Sequence, residues 1–270
     1  MALTREPLVI AHRGASDELA EHTLTAYEEA ITAGADALEC DVRLTADTVL
    51  VCVHDRRIDR TSDGRGVVAT KTLAQLEEQD FAGWKHEWPS GLDSDDQPPP
   101  YDAIARKVLT LDRLLELTTS VDRPVGLSIE TKHPTRFGGL VESMLVDTLS
   151  RYGLLEPRRS GAGAIRMMSF AESAVRRMRT LAPDLDRVFL MDRVPVRCRA
   201  GWLPFGARYA GPGIEIIRRH PGYVRKVHEA GGKVHVWTVD EPDDVDLCLS
   251  LGVDGIITNR PAAVRDRVYG

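Results

Sequence analysis

Two carboxylates fall on one face of a single apolar run, Ala37-Leu38-Glu39-Cys40-Asp41-Val42-Arg43-Leu44. Side chains alternate along a strand, so Glu39 and Asp41 project together while Cys40 points the other way. Two like charges among apolar neighbours are costly unless a cation sits between them. The chemistry this pair suits is a divalent-metal site. The plain alternative is an edge strand with two solvated acids, and Leu38, Val42 and Leu44 argue against it. A third acid, Glu130, ends a later apolar run. Three oxygen ligands select Mg²⁺, Ca²⁺ or Mn²⁺ over zinc. Lys132 shares the face of Glu130, where it either neutralises that acid or holds an anionic substrate, above all a phosphate.

Two histidines end apolar runs in the same way, His12 after Leu8–Ala11 and His54 after Val49–Val53. A lone histidine there is usually structural. Two at the rim that holds the acids suit proton transfer, one accepting from a nucleophile and one donating to a leaving alkoxide. Arg13 adds a planar donor fork matched to a phosphate. Trp237 suits stacking on a polyol, or serves as an ordinary core tryptophan.

These residues need a scaffold that brings strand ends together. Eight strands are expected, at 9–12, 37–42, 125–130, 164–169, 187–191, 207–211, 234–238 and 254–258, with helical patterns between most of them. That count in about 250 residues points to a TIM (β/α)8 barrel, whose chemistry collects at the carboxyl ends of the strands. A doubly wound sheet is the fallback, but no GxGxxG opens a helix. The turn Thr45–Thr48 is too short for a parallel crossover. Residues 42–53 should therefore form an antiparallel hairpin that returns His54 toward Glu39 and Asp41. Residues 56–109 break the rhythm with Phe81, Trp84, Trp88 and the acidic, proline-rich run Gly91–Pro100, and read as an inserted lobe.

A net charge of −6 argues against a nucleic-acid or anionic-membrane surface, although a local basic pocket is compatible with it. Cys40, Cys52, Cys198 and Cys248 make no zinc-like spacing and suit free thiols in a reducing compartment. No signal-peptide core or membrane-length apolar run is present. The expected location is the cytoplasm, and the whole chain, 1–270, is expected to be one domain.

The motifs resemble those of the glycerophosphodiester phosphodiesterase family. The matching segments are His12-Arg13-Gly14, Glu21 with Thr23, Glu39-x-Asp41, His54-Asp55, Arg60-Thr61-Ser62-Asp63-Gly64-x-Gly66, Ile129-Glu130-x-Lys132, Ser169-Phe170, Val236-Trp237-Thr238-Val239 and Gly252–Thr258. The resemblance implies a TIM barrel with an insertion after the His-Asp segment. It implies a divalent cation on Glu39, Asp41 and Glu130, His12 and His54 as acid-base pair, and Arg13 and Lys132 gripping the phosphate. Glu21 and Trp237 join the expected substrate-binding set. The implied reaction is metal-dependent hydrolysis of a small glycerophosphodiester to glycerol 3-phosphate and an alcohol. One position departs: the family usually has Pro-Glu-Asn-Thr where this chain has Ala20-Glu21-His22-Thr23. Two rivals stand. A lipid-directed phosphodiesterase, of lysophospholipase D or sphingomyelinase D type, needs an exposed apolar rim, with Phe81, Trp84 and Trp88 as candidates. A non-catalytic phosphodiester-binding barrel would be expected to lack one of these site residues.

Overall fold

Short apolar runs alternate with helical patterns along the chain. In the computed structural model, which describes residues 6–85, 105–155 and 163–270, they close into a ring. The strands are β1 (Leu8–His12), β2 (Ala37–Leu44), β3 (Leu50–Cys52), β4 (Gly126–Thr131), β5 (Ile165–Ser169), β6 (Asp186–Met191), β7 (Tyr209–Pro212), β8 (Lys233–Val236) and β9 (Gly255–Thr258). Apart from β3, each runs parallel to its neighbours in the order β1-β9-β8-β7-β6-β5-β4-β2. Pairing of β1 with β2 closes an eight-stranded TIM barrel. The eight expected strands all form, with ends within two residues of expectation.

Strand alternation decides what each side chain packs against. Leu38, Cys40, Val42, Leu127 and Ile129 point outward into the layer beneath the helices. Ile10, Met168, Val188, Leu190 and Ile257 point inward and fill the barrel. The helices are α1 (Leu24–Thr32), α2 (Leu73–Glu77), α3 (Leu111–Ser120), α4 (Leu140–Arg151), α5 (Glu172–Leu181), α6 (Ile214–Arg219), α7 (Gly222–Glu229), α8 (Pro242–Leu251) and α9 (Pro261–Tyr269). Thr23 and Thr110 cap α1 and α3, each hydroxyl accepting from a backbone N–H of the first turn. Between β6 and β7 the chain makes only short 3-10 turns.

The hairpin forms as its turn length requires. β3 pairs antiparallel with β2 in the register Val42 with Cys52, Arg43 with Val51 and Leu44 with Leu50. The Arg43 guanidinium then folds over and donates two hydrogen bonds to the carbonyl of His54, at 3.1 and 2.7 Å. Two arginine hydrogen bonds thus fix the backbone that carries the second histidine.

The stretch after the hairpin packs Ile58, Val68, Leu76, Phe81 and Val108 on Val51 and Val53, a small core apart from the barrel's own. Within it, Thr61–Gly66 is a structural turn, closed by the Ile58 N–H on the Gly66 carbonyl at 3.0 Å. Phe81 is buried, and Trp84 is half-buried with its indole N–H donating to the Phe81 carbonyl. Trp88 and the run Gly91–Pro100 lie outside the described residues. Among the described residues no helix is long and apolar enough to cross a membrane, and all four cysteines are buried free thiols.

Candidate active site

Strand register assembles the carboxylates. Parallel pairing sets His12 beside Glu39 and Asp41 beside Glu130, so four polar side chains meet at the carboxyl rim. One carboxylate oxygen each from Glu39, Asp41 and Glu130 lies within 4.8 Å of the others, and all three residues are buried. Burial, and next the charge of Asp41, pushes both Glu39 and Glu130 well above the usual carboxylate range. Burial would raise Asp41 too. A hydrogen bond from His22 and the charges of Lys132 and Arg13 overcome it and hold Asp41 well below that range. Oxygen donors this close, crowded enough to resist ionising together beside only two cations, fit a hard divalent cation.

Those two cations are Arg13 and Lys132. Lys132 Nζ sits 2.9 Å from Glu130 and 3.2 Å from Asp41. Arg13 places Nε 3.0 Å from Asp41 and donates from Nη1 to Glu21 at 3.1 Å. Its Nη2 has no carboxylate partner among the described residues. Glu21 also accepts two hydrogen bonds from Arg60, at 2.8 and 2.7 Å. Burial opposes ionisation of Glu21, yet Arg60 and Arg13 bring it down to about 2. It stands between two arginines, behind the carboxylate cluster.

The His12-Arg13-Gly14 turn has a backbone reason. Arg13 takes a left-handed φ of 58° and Gly14 one of 90°, which turns the chain sharply out of β1. The Arg13 N–H then reaches both the carbonyl and the side chain of Glu39, at 3.2 and 3.1 Å. A Cβ on Gly14 would sit 2.6 Å from the Ala26 backbone. Gly14→Ala should therefore destabilise the fold by roughly 3 kcal/mol, from left-handed strain plus overpacking. Chemical denaturation would measure it, and a loss under about 0.5 kcal/mol, within surface-substitution scatter, would contradict the contact.

Both histidines reach this rim, and both feel the charge of Asp41. His12 Nδ1 lies 2.7 Å from Asn259 Oδ1. The Asn259 amide cannot turn over, because its Nδ2 donates to Asp240 at 2.7 Å. Nδ1 of His12 is therefore the donor, and its Nε2 keeps a lone pair 4.0 Å from Glu39. Burial, then the charge of Arg13, lowers His12 to about 3, so the ring is neutral near pH 7. His54 is more open, with Nδ1 on Asp55 at 2.7 Å. Asp55 is pulled down to about 2 against its burial, first by Arg60 and then by His54.

Trp237 is half-buried just past β8, its indole N–H donating to the Gly211 carbonyl at 2.7 Å and its ring edge-on to Phe170. Several partners of these groups had no sequence signal of their own. Asp240 and Asn259 are distant from His12 in sequence, Tyr27 reads as a core helix residue, and His22 reads only as a departure from a motif.

The closed barrel, with two histidines and a cluster of charged side chains at its carboxyl rim, places the chain among TIM-barrel enzymes. Comparison with known proteins narrows the class: the chain belongs to the glycerophosphoryl diester phosphodiesterase family, whose sequence pattern matches residues 12–263. It is 42% identical over 264 residues to a Mycobacterium tuberculosis protein named "Probable glycerophosphodiester phosphodiesterase 1", covering 97% of this chain and 93% of that one. It is 31% identical to a glycerophosphodiester phosphodiesterase of Bacillus subtilis, covering 94% and 84%. In fold it matches a phosphodiesterase from Oleispira antarctica solved with the product sn-glycerol-3-phosphate, at a TM-score of 0.79, 21% identity and 98% coverage of both chains.

Proposed function

We propose that this protein hydrolyses small glycerophosphodiesters to glycerol 3-phosphate and an alcohol, with a divalent cation held by Glu39, Asp41 and Glu130. The observation that carries the reading is the convergence of those three carboxylates with a neutral His12 whose Nε2 lone pair is unblocked. When bound, Mg²⁺, Ca²⁺ or Mn²⁺ supplies positive charge for the phosphoryl oxygens. Arg13 adds its Nη2 to the same phosphate, held in place through Glu21, and Lys132 adds an ammonium. His12, with Nδ1 committed to Asn259, accepts a proton at Nε2 from the attacking water or neighbouring substrate hydroxyl. His54 returns a proton to the departing alkoxide, and Asp55 steadies its charged form. Trp237 flanks the polyol portion. We place this chemistry in one barrel domain over 1–270, with the 56–109 lobe inserted, in a cytoplasm that keeps the thiols reduced.

Two of the three candidates for the lipid-directed alternative do not support it, since Phe81 is buried and Trp84 is packed by Arg60 and the lobe; Trp88 lies outside the described residues. A turnover assay separates the readings. Glycerophosphocholine with Mg²⁺, Ca²⁺ or Mn²⁺ should yield glycerol 3-phosphate and choline. Turnover of lysophosphatidylcholine alone would favour the lipid enzyme, and no turnover of either would leave a binding barrel.

A further inference from the structure

The residue that departs from the family's usual pattern, His22, occupies a place where few residues fit. Its backbone is left-handed, with φ at 61°, a region that asparagine, aspartate and histidine enter more readily than other side chains with a Cβ. The usual asparagine is thus explained by conformation. Histidine keeps that conformation and adds reach. The ring is buried, with Nε2 3.0 Å from Asp41 Oδ2 and Nδ1 2.8 Å from the Tyr27 hydroxyl. That hydroxyl also lies 2.9 Å from the Glu39 carbonyl, to which it can donate.

Asp41 Oδ2 also lies 3.0 Å from Arg13 Nε, so that oxygen faces N–H groups on its protein side, and the imidazole N–H at His22 Nε2 is one of them. Tyr27 stands behind the ring and also touches the strand that carries Glu39. Oδ2 is thereby occupied on its protein side, and Oδ1, the oxygen facing Lys132, is turned toward the cluster. An asparagine on the same backbone is too short to touch Asp41 and Tyr27 at once. Carboxylates that bind metals are commonly aimed by such outer hydrogen bonds, and losing one typically costs 10- to 100-fold in metal affinity.

We propose that His22, backed by Tyr27, is a positioning residue that presents Asp41 to the divalent cation and so sets the affinity of the site. This rests on the metal site proposed above. His22 does not itself bind the cation, since it is not among the side chains whose ligand atoms converge.

The test is direct Mn²⁺ binding to the metal-stripped full-length protein, followed by the loss of the free-ion signal in electron paramagnetic resonance. His22→Asn keeps the left-handed backbone and should weaken Mn²⁺ binding by about 10- to 100-fold. The concentration of Mn²⁺ that half-saturates turnover should move by the same factor. Tyr27→Phe leaves the ring in place with less support and should weaken binding by roughly three- to tenfold. The melting temperature of metal-free His22→Asn separates positioning from folding. A purely structural role would lower it and leave the isotherm unmoved. Mn²⁺ affinity of His22→Asn within about twofold of wild type, measured on folded protein, overturns the inference. Asp41→Asn serves as the reference. If it too binds Mn²⁺ like the wild type, the metal site itself is wrong; if it alone loses binding, only the role of His22 fails.

Discussion

Asp41→Asn protein should fold, lose measurable divalent-cation affinity, and turn over glycerophosphocholine at least about three decades more slowly than wild type. A cation that neutralises phosphoryl oxygens is worth several kcal/mol of transition-state stabilisation, and each 1.36 kcal/mol is a factor of ten. The fold should survive for an electrostatic reason. Asp41 pairs with Lys132, Arg13 and His22, and deleting one partner of a buried network is ordinarily severe. Here Glu39 and Glu130 are held up by burial and then by the charge of Asp41 itself. Without that charge they ionise more readily and take over the balance. Wild-type protein in excess chelator should show the same loss, reversed by Mg²⁺, Ca²⁺ or Mn²⁺. Full turnover in chelator would refute the metal assignment, and an unfolded Asp41→Asn chain would refute the compensation.

His12→Ala and His54→Ala should each lower turnover by roughly two to four decades, the usual worth of a positioned proton-transfer group, with little change in melting temperature. The two losses should respond differently to the leaving group. His12 is neutral and its Nε2 lone pair is free, which suits the acceptor; His54 leans on an ionised Asp55, which suits the donor. A nitrophenyl ester needs no protonation as it departs. It should therefore restore much of the rate of His54→Ala and little of that of His12→Ala. Rescue in the opposite sense would exchange the two roles. Equal rescue, or near-normal turnover of either variant on the natural ester, would remove proton transfer from that residue.

The parts of this molecule that were legible in sequence are those governed by local rules. Period-two alternation placed Glu39 and Asp41 on one face and Cys40 on the other, and Cys40 does pack outward. A four-residue turn excluded a crossover, and the hairpin follows. Thr23 and Thr110 cap their helices through contacts within one turn, which is the same local kind of rule. What stayed hidden depends on contacts between distant segments or on backbone angles. The lock on the His12 tautomer comes from Asn259 and Asp240, on the far side of the closing strand pair. The reach of His22 to Asp41 needs both a left-handed residue and a register that only the barrel supplies. Arg13 and Lys132 could be read as phosphate grips, but not as the groups that hold Asp41 ionised.

The hairpin gives the site two parts of unequal freedom. His12, Glu39, Asp41 and Glu130 all stand on strands locked into the closed ring, where shifting one residue drags its neighbours in register. His54 stands past the three-residue β3, held by the Arg43 side chain and adjoining a lobe with its own small core. For an evolving lineage this division matters. The lobe and the loop before it can be lengthened, shortened or recomposed, as loops on rigid scaffolds commonly are, while the carboxylate ring stays untouched. The ring that gathers the carboxylates and the lobe beside the second histidine are in that sense separately inheritable.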